Sequence, residues 1–157
     1  NKKKIIELIW KEGKRYCILS LCIAIIFCIF CSCNHSSMED NGGDVSKVTK
    51  TIGDSTIYTT EDIESAMNTV TSYFRTTKDF QDCTLTELYY DETMSSEKSE
   101  TLAEQYEAEE AILLLSSFDV GAENKHSGLD ANRTYNNFKW ILVRSNGGAW
   151  TLETWGY

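Results

Sequence analysis

The residues able to do chemistry are few and scattered. His35 and His126 lie far apart in the chain with no cysteine beside either, so they read as solvated histidines and not as half of a zinc site. Glu107, Glu109 and Glu110 bring three carboxylates close together. A calcium loop needs alternating oxygen ligands around a glycine bend, and none follows, so a solvated acidic face is the better reading. Ser116-Ser117 has neither a nucleophile elbow nor a histidine to activate it. Gly147-Gly148 reads as a turn, because no strand-to-helix Gly-x-Gly-x-x-Gly accompanies it. Asn132-Arg133-Thr134 matches the glycosylation acceptor by coincidence. No catalytic residue, metal site or cofactor is expected, and the chain reads as a non-enzyme.

Two features have more content. The first is the aromatic density of the last 23 residues, which hold Tyr135, Phe138, Trp140, Trp150, Trp155 and Tyr157. Only alternate members of a half-buried hairpin can face one core, so some of these rings must lie on the other face. Trp140, Trp150, Trp155 and Tyr157 are therefore a candidate surface for a peptide, glycan or small molecule, against the plainer alternative that they fill the core. The second feature is cysteine placement. Cys17, Cys22, Cys28, Cys31 and Cys33 all fall in one apolar run, and only Cys83 lies elsewhere, so no disulfide forms within the polar part and Cys83 is expected as a buried core thiol.

That apolar run, Tyr16 to Cys33, contains no charge. As a helix it would reach about 27 Å, close to the thickness of a bilayer's hydrocarbon core. Residues 1–15 carry six Lys and Arg against two Glu, an excess retained on the cytoplasmic side, so everything after the run is expected outside the cell membrane. The edge Phe30-Cys31-Ser32-Cys33 resembles the bacterial lipobox, with Ser32 as the small residue and Cys33 as the lipidated one. Three outcomes fit the layout: lipidation at Cys33, an uncleaved membrane helix over 16–33, or a plain secretory signal. Asn1 is not Met, so more protein upstream is a further alternative. From Asn34 onward nine basic residues face twenty-two acidic ones, a net charge of −13. Such a balance argues against nucleic acid as a partner, since phosphate contacts need clustered cations.

Residues 34–55 are polar and poor in large apolar side chains, so they are expected as a flexible tether. Residues 56–157 are expected as one extracytoplasmic domain, and a chain starting near Ser55 is expected to fold alone as a soluble monomer. Thr59 and Thr60 followed by Glu61 and Asp62 predict a helix start, and Ile63, Ala66, Met67, Val70, Tyr73 and Phe74 predict one apolar stripe to about Arg75. Cys83–Asp91 reads as a strand with Leu85 and Tyr89 on one face and Thr84, Thr86, Leu88 and Tyr90 on the other. Ser95–Ala108 predicts a short exposed helix, Ala111–Val120 a central strand, and Gly121–Thr134 a loop. Strand alternation around Asn146-Gly147-Gly148 predicts a hairpin whose Trp140 and Trp150 lie near one another. The order predicts an α+β domain, with one helix packed on a small antiparallel sheet.

CTLTELYYDE (Cys83 to Glu92), EAILLLSSFDV (Glu110 to Val120) and YNNFKWILVRSNGGAWTLETWGY (Tyr135 to Tyr157) resemble a domain of unknown function of clostridial-type Gram-positive bacteria. That family occurs in small lipoproteins and at the external C-terminus of BlaR-type membrane peptidases that sense antibiotics. The resemblance implies a compact helix-on-sheet domain of the cystatin or NTF2-like kind, in an extracytoplasmic setting, with no catalytic residues to carry over. Two functions follow: a membrane-anchored binding or sensing module, or the external fragment of such a sensor peptidase, whose His-Glu-x-x-His helix is absent from these residues.

Overall fold

The computed structural model describes residues 41–124 and 128–157. The apolar segment 16–33, Cys33, His35 and His126 lie outside the described residues. Those described fall in one unit, Met38–Tyr157, and among them no helix is long and apolar enough to cross a membrane.

The first helix, α1 (Thr60–Thr76), begins as its sequence predicts. The Asp62 N–H donates to Thr59 Oγ1 at 3.1 Å and the Thr59 N–H donates to Asp62 Oδ2 at 3.2 Å, a reciprocal capping box. Ile63, Ala66, Met67, Val70 and Phe74 are buried along one stripe. The far end is closed by another part of the chain. The N–H groups of Gly42 and Gly43 donate to the carbonyls of Arg75 (2.9 Å) and Phe74 (2.8 Å), which have no partner within the helix.

Five strands, β1 (Thr49–Thr51), β2 (Cys83–Tyr90), β3 (Glu110–Val120), β4 (Thr134–Arg144) and β5 (Thr151–Gly156), form one sheet in sequential order. The pairs β2–β3, β3–β4 and β4–β5 are antiparallel, while β1 runs parallel to β2. The sheet is therefore mixed, which corrects the antiparallel expectation. The same finding corrects the tether. Asp44 bridges to Thr84, Gly43 is buried, and Val45, Val48 and Ile52 pack against the core, so the domain begins more than ten residues before Thr56. A chain starting at Ser55 lacks both an edge strand and the bonds that close the end of α1.

The central strand β3 is buried on both faces, and each face has its own helix. Ile112, Leu114, Phe118 and Val120 join the α1 side, while Ala111, Leu113 and Leu115 meet Leu102 and Ala103 of α2 (Glu92–Gln105). This second helix was expected as exposed. Its burial is modest but specific: Ser95 is fully buried, and its Oγ accepts a 3.3 Å hydrogen bond from the Leu113 N–H. Both helices therefore pack on the sheet, on opposite faces, where only the first was expected to.

A β-bulge between Leu85 and Glu87 overturns the predicted faces of β2. The extra residue restores Leu88 and Tyr90 to the same side as Cys83 and Leu85, against α1, and turns Tyr89 to the α2 side. The hairpin turn is as predicted, with positive φ at Asn146 (56°) and Gly147 (59°), the pair that a two-residue primed turn requires. Its register is not. Another irregularity opposite Ile141 and Leu142 pairs Trp140 with Trp155 and leaves Trp150 ahead of the strand.

Candidate functional site

An aromatic cluster fills the α1 side of the sheet and runs to its end, where it opens to solvent. Phe74, Phe80, Phe118 and Trp140 are fully buried, and the Trp140 Nε1–H donates to Ser116 Oγ at 2.8 Å. Trp150 is also buried. Its Nε1–H donates to the Asp62 carbonyl at 3.0 Å, and the Arg144 guanidinium lies 4.3 Å from its ring centroid. Of the four residues expected on a ligand surface, Trp140 and Trp150 thus belong to the core, which corrects that expectation for both.

Trp155 and Tyr157 have a different fate. Strand β4 begins at Thr134, but β5 pairs with it only from Lys139, so the first residues of β4 extend past the end of their neighbour. On that side their inward-facing rings, Tyr135 and Phe138, meet Trp155 near the end of β5 and Tyr157 just beyond it. The result is a concavity of about 260 Å³, with buried Phe138 at its base and Trp155, Tyr157, Leu129 and Asp79 around it. Phe138 stands 5.7 Å from Trp155 and 5.6 Å from Tyr157, centroid to centroid. Tyr157 is 70% exposed, and Ile57 is the other large apolar side chain to stand so far out among the described residues.

The polar groups of this pocket are largely committed. The Trp155 Nε1–H donates to Tyr73 Oη at 3.3 Å, and Tyr135 Oη accepts from the Asp130 N–H at 2.9 Å. Phe118 stacks on Tyr135 at 5.2 Å, and the Arg133 guanidinium carbon lies 5.2 Å from the same ring. Asp79 is exposed and makes no hydrogen bond or ion pair with a described residue.

Ile57 rims a second, larger concavity of about 490 Å³ between α2 and the start of β3, with Tyr58, Ala103 and Ala111 as its apolar wall and Glu100 and Glu104 on its helical side. Tyr58 Oη donates to the Ala111 carbonyl at 2.6 Å, and burial pushes its phenol up to about 12. Next to it, Arg144 donates from Nη1 to Asp62 and from Nη2 to Glu110 (2.7 Å), which ties α1 to β3 and β4. The hydrogen bond from Arg144 holds the Asp62 carboxyl below the usual range. This cluster joins elements and leaves no charge free for chemistry.

The remaining acids and thiol are also engaged. Glu109 accepts from the Asn146 N–H at 2.6 Å, so the expected acidic face is in part a clasp on the hairpin turn. Ser117 Oγ donates to Glu87 at 3.2 Å. Cys83 is buried as predicted, its thiol pushed up to about 11 by burial, which leaves little thiolate at neutral pH. Among the described residues no group of three or more His, Cys, Asp or Glu could hold a metal.

Glu92 supplies a pH-dependent joint that the sequence did not reveal. Its carboxylate accepts from Thr56 Oγ1 (2.5 Å), the Thr56 N–H (3.0 Å), Ser55 Oγ (3.0 Å) and Tyr90 Oη, fastening the segment before α1 to the start of α2. The hydrogen bond from the Thr56 hydroxyl, the largest cause, and those from Tyr90 and the Thr56 backbone bring its pKa down from 4.5 to about 2. A carboxyl with a depressed folded pKa stabilises above its unfolded value and loses that contribution as pH falls through the folded one. Glu92→Gln should therefore melt lower than wild type at pH 7, with the gap closing between pH 4.5 and 2. A gap that is constant with pH would remove the carboxylate from the explanation.

The fold and pocket define a mixed-sheet α+β domain with an aromatic cavity at one end of the sheet. Comparison with family models, curated proteins and solved structures finds no match for the chain.

Proposed function

We propose that the chain is a membrane-attached, extracytoplasmic binding or sensing module, held through segment 16–33 or through lipid on Cys33, with the pocket beside Trp155 and Tyr157 as its ligand site. One observation carries the binding reading: an exposed tyrosine and a half-buried tryptophan stand over a buried phenylalanine floor, around a space of about 260 Å³. Ligand pockets for drug-sized molecules run from roughly 300 to 1,000 Å³, so this one suits a headgroup, a single ring or one side chain of a peptide. The role is recognition and not catalysis, since the serines and the thiol within the sheet are bonded or buried. The resemblance to lipoprotein and BlaR-type external domains supports the setting.

The basic flank and the Ser32-Cys33 edge support the attachment. A fatty-acid analogue supplied to cells should label the protein, with label lost in Cys33→Ala and kept in Cys31→Ala. Label surviving in Cys33→Ala excludes that site, and a domain resistant to protease added outside intact cells excludes the external placement.

A further inference from the structure

We propose that the pocket formed by Asp79, Phe138, Trp155 and Tyr157 is a receptor for a small alkylated ammonium group, an inference that rests on the binding reading above and assigns its ligand class.

The chemistry of the lining selects the ligand. A glycan needs several donors and acceptors set around an aromatic platform, and here few are left. The Trp155 N–H is bound to Tyr73 Oη, and Tyr135 Oη is already an acceptor for the Asp130 N–H. What stays on offer is the faces and edges of rings, the Tyr157 hydroxyl and one carboxylate, Asp79, with no ion-pair partner among the described residues. Ring faces carry negative quadrupole potential and attract a cation, most strongly where water is partly excluded. A carboxylate at the rim adds Coulomb attraction without requiring N–H donors from the ligand. A group with positive charge, apolar surface and few hydrogen-bond donors satisfies all three conditions, and an alkylated ammonium is that group.

Two internal contacts use the same attraction. The guanidinium of Arg133 lies 5.2 Å from the Tyr135 centroid, and that of Arg144 lies 4.3 Å from the Trp150 centroid. Neither cation lines the pocket. The acidic balance of residues 34–157 favours approach of a cation and disfavours an anion. Size agrees too, because a concavity of about 260 Å³ has room for a trimethylammonium group with a short alkyl arm.

The test is calorimetric titration of the full chain, in maltoside micelles, with choline and with its uncharged carbon isostere 3,3-dimethylbutan-1-ol. Choline should bind roughly tenfold more tightly than the isostere, as expected for a cation on aromatic faces. Asp79→Asn should narrow that ratio, and Tyr157→Ala should weaken choline by a similar factor while leaving the melt unchanged, since Tyr157 stands outside the core. Phosphocholine distinguishes the source: affinity equal to choline marks a lipid or polymer headgroup, whereas weaker binding, from repulsion between its phosphate and Asp79, marks a free ammonium ligand. Equal affinity for choline and the isostere overturns the ammonium assignment and leaves a pocket for neutral ligands. Absence of binding by both overturns the pocket's role as a ligand site.

Discussion

Trp140→Ala should lose about 3–5 kcal/mol of stability, the usual cost of truncating a fully buried large aromatic. The ring lies 5.3 Å from Phe80, 5.6 Å from Phe138 and 6.3 Å from Phe74, at the middle of the α1-side core, and no water-exposed surface offsets its loss. The variant also strands Ser116 Oγ, which is fully buried and accepts the indole N–H. A domain of this size is stable by roughly 5–15 kcal/mol, so the variant should be marginal or unfolded at 37 °C. Trp150→Ala should behave similarly, with a loss of about 3 kcal/mol, because it removes a 3.0 Å bond to the Asp62 carbonyl and the ring beneath Arg144. Urea denaturation read by circular dichroism measures both, and a Trp140→Ala midpoint equal to wild type would contradict the core assignment.

Gly43→Ala is the second large effect. A Cβ at this position would lie 2.2 Å from Cε1 of Phe74 and 2.8 Å from the Phe80 carbonyl oxygen, both far inside contact distance. Neither neighbour has room to yield, since Phe74 and Phe80 stack on each other at 4.4 Å in the core. The segment around Gly42 and Gly43 must therefore lift, and with it go the two bonds from these glycines that cap α1. Overpacking costs about 1–3 kcal/mol and each lost hydrogen bond about 1 kcal/mol, for an expected loss of about 3 kcal/mol. A glycine in a free tether would tolerate alanine within about 0.5 kcal/mol. Denaturation of the variant separates the two descriptions of residues 42–52, and an unperturbed midpoint would return them to the tether.

The difference between those descriptions marks where sequence stops being informative. Helix α1 was legible because its cap and its stripe are both local: Thr59 with Asp62 fixes the start, and apolar spacing fixes the face. The Asn146-Gly147 turn was legible for the same reason. Strand β1 was not, because Thr49, Lys50 and Thr51 are all exposed, and the strand contributes backbone hydrogen bonds that leave no hydrophobic pattern. The bulge in β2 was equally silent. It reverses the side on which Leu88 and Tyr90 fall relative to simple alternation, and no residue type announces it.

The site was legible in half. Aromatic crowding over residues 135–157 pointed to the end of the chain that lines the concavity, but alternation alone could not sort buried rings from those around it. The sorting depends on where β5 stops pairing with β4 and on Glu153, which is passed over in the register between Leu152 and Thr154. Asp79 had no sequence signal at all. It reaches the pocket because the short 3₁₀ turn Lys78–Phe80 carries Phe80 into the core and leaves its neighbour at the surface.

The division of these aromatics into core and proposed binding site is tested most directly by the indole N–H resonances of the tryptophans during a choline titration. Trp155 should move saturably, because its ring borders the pocket, while Trp140 and Trp150 should stay fixed, their N–H groups held by Ser116 and Asp62 inside the domain. Equal movement of all three resonances, or none for Trp155 at saturating choline, would contradict the account.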